Sequence, residues 1–76
     1  MKELIELIAK KLVQHPEDVQ VRVIETENGQ SYELRVHSDD MGKVIGKSGR
    51  TAKAIRAVLN AAASKQNRRA DLQIME

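Results

Sequence analysis

The chain has 76 residues, of which 32% are charged, with no cysteine and a net charge of +2. This length allows one domain with a small core, so we expect a single domain over residues 1–76, and the lack of cysteine excludes disulfides and thiolate metal sites. No apolar run approaches the roughly 20 residues that a membrane span requires, and the charged N-terminus is unlike a secretory signal. We therefore expect a soluble cytoplasmic domain with no membrane partner.

The charges are unevenly distributed along the chain. Residues 1–40 contain five basic and nine acidic side chains, a balance of −4, whereas residues 41–76 contain eight basic and two acidic side chains, a balance of +6. A small domain polarised in this way turns its positive side toward a polyanion. A solvated basic helix would have the same composition, so charge alone leaves both interpretations open.

The first half is predicted to form one helix and a pair of strands. Apolar residues recur at helical spacing over residues 2–14, and Pro16 ends that helix because the residue before a proline avoids the α region. Apolar and polar residues then alternate over 19–25 and 31–37, as in strands with one buried face. Asn28-Gly29 between them is the strongest short signal for a hairpin turn, so the two strands are expected to pair antiparallel.

The second half is predicted to contain two helices and a third strand. A short helix ends at Ile45, and a longer one runs from Arg50 or Thr51 to Ser64. The candidates for the N-cap of the short helix are Ser38, Asp39 and Asp40. One face of the longer helix is predicted to be buried, and it consists of Ile55, Val58, Leu59 and Ala62. Alternation of Leu72 and Ile74 then predicts a strand parallel to 31–37, because a helical crossover connects the two.

The two predicted helices are separated by the turn Gly46-Lys47-Ser48-Gly49. Two glycines three residues apart let the backbone bend sharply and approach a ligand closely, because neither carries a Cβ. Lys47 adds positive charge, and Ser48 offers a hydroxyl group. Arg50 and Thr51 begin the next helix, whose free amides and positive dipole end favour a phosphate. The turn is therefore predicted to bind nucleic acid.

The order α-β-β-α-α-β, with Val44-Ile45-Gly46-Lys47-Ser48-Gly49 between the middle helices, resembles a KH domain of the bacterial type II order. The resemblance covers essentially the whole chain, and a free-standing domain of this size is similar to the bacterial KH-domain RNA-binding protein A (KhpA) family. It implies an α+β fold with a three-stranded mixed sheet and helices on one face. It also implies a single-stranded RNA-binding protein, an RNA chaperone or post-transcriptional regulator, that forms a homodimer or a heterodimer with a larger KH-containing protein.

The same resemblance implies where the RNA binds. In a KH domain the Gly-x-x-Gly loop holds about four nucleotides of a single strand against an apolar groove. Gly46–Gly49 are therefore expected to contact the RNA backbone, flanked by Arg50 and Thr51. The groove wall is expected to include Val44 and Ile45, with Ile74 of the last strand. The other candidates for phosphate contact are Lys43, Lys47, Lys53, Arg56, Arg68 and Arg69.

Two other binding functions remain open at this stage. A protein–protein module that assembles with a second KH-containing protein would use the same fold, and single-stranded DNA would fit the same clamp. Base stacking on an aromatic sheet surface is excluded, because Tyr32 is the only Phe, Trp or Tyr in the chain. The alternation of its strand places the Tyr32 ring in the core.

Catalysis and metal binding are not expected from the sequence. Gly42-Lys43-Val44-Ile45-Gly46-Lys47-Ser48 superficially resembles a nucleotide-binding loop, but that motif needs four residues between its glycines and a preceding buried strand. His15 and His37 lie in different elements, with no third ligand at a metal-like spacing. We therefore predict no enzyme, no metal site, no cofactor and no small-molecule substrate.

Overall fold

The computed structural model describes all residues from Met1 to Glu76. The helices are α1 (Lys2–Leu12), α2 (Met41–Ile45) and α3 (Arg50–Ser64), and the strands are β1 (Gln20–Glu25), β2 (Gly29–Arg35) and β3 (Arg69–Met75). Short 3-10 turns cover Pro16–Asp18, Ser38–Asp40 and Lys47–Gly49. The predicted order α-β-β-α-α-β is confirmed. No helix combines the length and the apolar character that crossing a membrane requires.

The three strands form one mixed sheet in the order β1-β2-β3. β1 and β2 pair antiparallel, with Val21 opposite Leu34, and β2 and β3 pair parallel, with Tyr32 opposite Leu72. These four side chains are buried, whereas the alternate residues of β1 and β3 are exposed. The sheet therefore has one covered and one open face, as the alternation predicts, and Tyr32 lies in the core as expected.

The helices cover the buried face of the sheet. α1 packs on β1 and α3 packs along β3. Ile5 of α1, Leu59 of α3 and Leu34 of β2 are fully buried between these layers. Fully burying an isoleucine or leucine stabilises a fold by about 1.5–3 kcal/mol. The predicted α3 face is wrong in one position, because 48% of Val58 is exposed while Ile55 and Leu59 are buried.

The hairpin turn lies one residue earlier than Asn28-Gly29 predicts. The amide of Thr26 donates to the Gly29 carbonyl at 2.9 Å, so Glu27 and Asn28 occupy the centre of the turn. Neither Asn28 nor Gly29 has a positive φ, which a type I′ Asn-Gly turn would require. Gly29 instead allows β2 and β3 to approach closely, because a Cβ at this position would lie within 2.7 Å of the Arg69 backbone nitrogen at the start of β3.

The predicted caps at the start of α2 are also wrong. The side chain of His37 caps the 3-10 turn before α2, where its Nδ1 accepts a hydrogen bond from the Asp39 amide at 3.0 Å. Asp40 is completely buried, and its side chain makes no capping hydrogen bond to α2. Its carboxylate accepts hydrogen bonds from the amides of Gln14 at 3.1 Å and His15 at 3.0 Å. Asp40 therefore fixes the end of α1 to the start of α2.

α3 runs antiparallel to β3 along the free edge of the sheet. The guanidinium of Arg56 donates two 3.2 Å hydrogen bonds to the Leu72 carbonyl, and the side chain of Asn60 accepts one from the Ala70 amide at 3.3 Å. These bonds pair the later residue of α3 with the earlier residue of β3. The start of α3 therefore lies beside the end of β3.

Candidate nucleic-acid interface

The turn between α2 and α3 adopts a backbone that only glycine accommodates easily. Gly46 has φ 78° and ψ 171°, and Gly49 has φ 74° and ψ 14°. Ser48 between them is left-handed as well, with φ 58° and ψ 25°. The left-handed conformation of Gly49 costs other L-residues about 1–2 kcal/mol, and the conformation of Gly46, with positive φ and extended ψ, is open almost only to glycine. The two glycines therefore permit a tight loop in which main chain lies at the surface.

The two glycines meet different surroundings. A Cβ on Gly46 would lie 2.8 Å from the backbone nitrogen of Thr51, so the loop folds back closely onto the first turn of α3. A Cβ on Gly49 would meet no atom within 4 Å. Gly46 is thus required by packing and by φ, whereas Gly49 is required by φ alone and leaves open space beside the backbone.

Three exposed cations surround this loop and make no ion pair. Lys47, Arg50 and Lys53 are exposed, and none of the ion pairs in the structure involves them. Lys43 differs, because its Nζ lies 3.8 Å from Oδ1 of the buried Asp40. α3 begins without a side-chain cap and without an acidic residue in its first turn. The positive end of this helix therefore faces the same surface as the unpaired cations.

Two of the three apolar residues that were predicted to line the groove have exposed surface. Ile45 is 36% exposed, and Ile74 of β3 is partly buried. Val44 is completely buried, so it cannot form groove surface, and this part of the prediction is wrong. Consecutive residues of a helix point in different directions, so Ile45 faces outward where Val44 faces the core.

Side chains bond the free edge of β3 at Ala70 and Leu72 but leave it open at Ile74. Arg69 donates its amide toward β2, and Met75 accepts there through its carbonyl, so the residues that alternate with them point their backbone groups away from β2. Asn60 bonds Ala70 and Arg56 bonds Leu72 on this edge. No side chain bonds the backbone of Ile74, which therefore lies at the open end of the edge, next to the start of α3.

The structure does not bring every predicted cation to the loop. The Arg56 guanidinium donates both of its hydrogen bonds to the Leu72 carbonyl. Arg68 donates to Glu25 Oε2 and to the Gly29 carbonyl, both at 3.0 Å, so it braces the hairpin at the far end of α3 from the glycine turn. Arg69 begins β3 at that same end. Arg68 and Arg69 therefore do not flank the predicted groove.

One cluster of polar side chains was not anticipated from the sequence. The rings of His15 and His37 are stacked, with centroids 4.1 Å apart and planes inclined by 23°. Each offers a nitrogen to a group completed by an Asp39 oxygen, and the three atoms lie within 4.8 Å of one another. The chain spacing does not signal this group, because only the tertiary fold brings His15 to His37 and Asp39, which are neighbours in the turn before α2.

The glycine turn lies on an open surface. Four shallow cavities occur elsewhere, the largest of about 420 Å³ beside the hairpin and the loop that precedes β3. None of them is lined by a residue of Gly46–Gly49. An exposed loop with unpaired cations and an adjoining strand edge has the shape to contact an extended chain.

Comparison with known proteins identifies relatives over the full length. The model of the family described as "KhpA/KhpB, KH domain" matches residues 2–74. A protein of Halalkalibacterium halodurans is 60% identical over all of both chains. A protein of Clostridium perfringens is 55% identical over 99% of this chain and 100% of its own, and one of Listeria monocytogenes is 50% identical over all of both. Each of these relatives is named RNA-binding protein KhpA.

Proposed function

Because the chain belongs to the KhpA/KhpB KH-domain family, we propose that it binds single-stranded RNA and holds the sugar–phosphate backbone at Gly46–Gly49. The observation that carries this proposal is the combination of two positive-φ glycines with three exposed, unpaired cations at an uncapped helix start. Bare backbone allows close approach, and the cations and the helix end attract phosphate. The clamp is thus selective for phosphate-bearing strands.

Each residue of the proposed site has a separate role. Gly46 and Gly49 provide the backbone surface, and Ser48, left-handed and exposed, presents its hydroxyl as a hydrogen-bond donor. Thr51 supports the turn, because Gly46 lies directly against it. The residues proposed to attract phosphate are Lys43, Lys47, Arg50 and Lys53. Lys43 contributes less than the others because it shares its charge with Asp40.

Bases are proposed to lie in the groove between α2 and the edge of β3. Ile45 contributes exposed aliphatic surface, Ile74 contributes the open backbone edge, and Val44 supports the groove from the core. A surface without aromatic side chains gains no base-stacking energy, which is worth about 1–3 kcal/mol per base where it occurs. A single clamp of this kind therefore has modest affinity and little base selectivity.

Weak binding with little base selectivity is the behaviour of an RNA chaperone or a general post-transcriptional regulator, and we extend the proposal to that role. The proposed function is binding without catalysis. It implies action in the cytoplasm, where the RNA of a bacterial cell is found, since the relatives are bacterial proteins. Single-stranded DNA carries the same phosphates, so equal affinity for matched RNA and DNA strands would make the clamp a general single-strand binder.

The proposal is tested by placing two anions in the loop. Lys47→Asp with Ser48→Asp keeps both glycines, and a fluorescence-anisotropy titration with a short unstructured RNA should show binding reduced at least tenfold. The matched control is Ser64→Asp with Lys65→Asp, an exposed serine–lysine pair at the other end of α3. The control should bind like the original chain. Equal affinity of the loop variant, with an unchanged circular dichroism spectrum, would refute the clamp.

We further propose that the chain assembles through its first helix, as a homodimer or with a larger KH-containing protein. Three large apolar side chains of α1 are well exposed, namely Leu4 (37%), Leu7 (54%) and Leu12 (39%). α1 belongs to the acidic half and lies apart from the loop in sequence, so its use as an interface would leave the clamp free. Two linked clamps bind one strand more tightly than either alone.

This assembly is measured by sedimentation equilibrium over a range of concentrations. The chain should show a dimer that Leu7→Glu disrupts, whereas Glu27→Gln in the exposed hairpin turn should leave the dimer intact. A monomer at every concentration, with no complex formed with a KhpB-type partner, would contradict the proposal.

A further inference from the structure

We propose that His15, His37 and Asp39 form a binding site for a divalent transition-metal ion such as Zn²⁺. His15 lies in the loop after α1, and His37 and Asp39 lie at the start of the 3-10 turn before α2. One ligand atom from each lies within 4.8 Å of the other two. Two imidazole nitrogens and one carboxylate oxygen form a donor set that suits zinc and its neighbours in the first transition row.

The cluster is built on a rigid base. The backbone amide of His15 is bonded to Asp40 Oδ2 at 3.0 Å, and Asp40 is completely buried. Asp40 directly follows Asp39, so the same residue fixes His15 relative to the turn that carries the carboxylate. A fixed backbone removes the backbone part of the entropy that ordering the ligands would otherwise cost. The backbone of the cluster is therefore preorganised, although His15 is distant in sequence from His37 and Asp39.

The hydrogen bonds of His37 leave it in the form that binds metal. Its Nδ1 accepts a hydrogen bond from the Asp39 amide at 3.0 Å, so in the neutral ring the proton sits on Nε2 and Nδ1 carries the lone pair that a metal would bind. The same Nδ1 lies 3.6 Å from Asp39 Oδ2. A cation between them would replace the amide as the partner of this lone pair, and the exposed Asp39 amide could then bind water.

The two imidazole rings need only a small movement to bind one ion together. Ligand atoms around a tetrahedral zinc lie about 3.3–3.5 Å apart, with metal–ligand distances near 2.0–2.2 Å. The stacked rings would have to separate from 4.1 Å to roughly 5 Å between centroids. His15 and His37 are about one-third exposed, with side-chain exposures of 35% and 34%, and both can rotate. Three protein ligands leave the fourth position to water.

The charges around the cluster favour a cation. Glu17 Oε1 lies 3.6 Å from His15 Nδ1, just beyond hydrogen-bond distance. A small movement would let it accept a hydrogen bond from Nδ1 and orient the ring if His15 binds the ion through Nε2. Asp40 adds a buried carboxylate, and Lys43 is the only cation paired with the group. Three carboxylates therefore face two imidazoles and one ammonium.

The test uses the full chain without an affinity tag that contains histidine. Isothermal titration with ZnCl₂ should give one ion per chain, and His15→Asn or His37→Asn should each weaken binding at least about tenfold. Glu27→Gln, a lost carboxylate in the hairpin turn, is the control and should bind like the original chain. Replacement by Co²⁺ should give visible d–d absorption, and ¹⁵N shifts of both imidazoles should move when one equivalent of Zn²⁺ is added.

Every result decides the question. Binding lost in both histidine variants and kept in the control, with both rings shifted in the unmodified chain, supports the site. Zinc affinity that is unchanged by either histidine variant, or imidazole shifts that do not move at one equivalent, would overturn it. The imidazole measurement requires no substitution, so it decides the proposal even if a variant folds poorly. RNA binding is not a readout, so this test stands apart from the proposed function.

Discussion

Asp40 Oδ2 accepts a hydrogen bond from the backbone amide of His15 at 3.0 Å. The two residues are far apart in the chain, and only Asp40 is completely buried. A second bond, from the Gln14 amide to Oδ1 at 3.1 Å, completes the use of both carboxylate oxygens. The segment that follows α1 is thereby joined to the residue that precedes α2. Because α2 leads directly into the glycine turn, this buried contact helps to set where the proposed RNA clamp lies.

Asp40→Asn should destabilise the fold more than any other carboxylate-to-amide change in the chain. The amide nitrogen of asparagine cannot accept a hydrogen bond, so one partly buried backbone amide loses its partner and the asparagine nitrogen is left unsatisfied in the core. Urea unfolding in a buffer with EDTA should show a clearly lower midpoint for Asp40→Asn than for Glu27→Gln, whose side chain is exposed. Equal midpoints for the two variants would show that the buried bonds contribute nothing.

The same carboxylate predicts how stability changes with pH. Burial raises the pKa of Asp40, but hydrogen bonds from the Gln14 and His15 amides, and the nearby positive charges, outweigh this and lower the pKa below its ordinary 3.8. A carboxyl whose folded pKa is lowered stabilises the fold above its unfolded pKa, and this contribution is lost as pH falls through the folded value. The urea concentration at the unfolding midpoint should therefore decrease as the pH is lowered below about 3.8. The decrease should be less steep in Asp40→Asn.

The glycines of the turn should differ in their sensitivity to alanine. Gly49→Ala places a side chain in open space and incurs only the left-handed strain, about 1–2 kcal/mol. Gly46→Ala adds an overlap with the Thr51 backbone, so its free energy of unfolding should fall further. Chemical denaturation of both variants measures the difference. A smaller loss for Gly46→Ala than for Gly49→Ala would contradict the packing of the turn.

Gly42 provides the opposite prediction in the same segment. It lies within α2, has no positive φ, and a Cβ there would meet nothing within 4 Å. Alanine at such a position restricts the unfolded chain and favours the helix, so Gly42→Ala should raise the free energy of unfolding by about 0.4–1 kcal/mol. A destabilised variant would show that α2 needs glycine for a reason other than conformation.

Arg50 and Arg56 should separate RNA binding from stability. Arg56→Met removes both hydrogen bonds to the Leu72 carbonyl and should cost about 1–2 kcal/mol of unfolding free energy, with RNA affinity nearly unchanged. Arg50→Met removes an exposed, unpaired cation, so stability should change by less than about 0.5 kcal/mol. Its RNA affinity should fall several-fold, as expected for the loss of about one phosphate contact. Unfolding and binding assays on both variants check this. Lost RNA affinity in Arg56→Met and lost stability in Arg50→Met would contradict the roles assigned to these arginines.

Salt dependence should report how many phosphates the site neutralises. Two or three contacts predict a slope of log affinity against log salt of about −1.4 to −2.1, at roughly 0.7 per phosphate on single strands. Lys47→Gln should reduce the magnitude of the slope by about 0.7, whereas Lys65→Gln, at the far end of α3, should not change it. A flat slope for the original chain would mean that phosphate contacts do not drive binding.

Most of the fold can be predicted from local patterns. Helical spacing, strand alternation and proline give the element order, and the parallel pairing of β3 follows from its helical crossover. Errors arise where tertiary contacts outweigh local preference. Gly29 is needed for the close approach of Arg69, which moves the turn away from Asn28-Gly29, and Asp40 bonds the end of α1 although its position suggests a helix cap.

The candidate site is predictable only in part. The glycine turn and its cations are contiguous in sequence, so spacing is sufficient to identify them. The hydrogen bonds of Arg56 and Arg68 depend on where α3 and the hairpin lie in space. The His15–His37 stack depends on the tertiary contact between the segment after α1 and the segment after β2. Val44 and Ile45 are chemically alike, and only the orientation of α2 shows that one is buried and the other exposed.

The most direct test of the clamp is to map the bound RNA by amide chemical-shift perturbation. An unstructured RNA of about four nucleotides, the length that a KH domain holds, would be titrated into ¹⁵N-labelled protein. The largest changes should fall on Gly46–Thr51, with smaller ones at Ile45 and Ile74 and none at the hairpin residues 26–29. Largest changes on the open face of the sheet or on α1, with Gly46–Gly49 unaffected, would contradict the account.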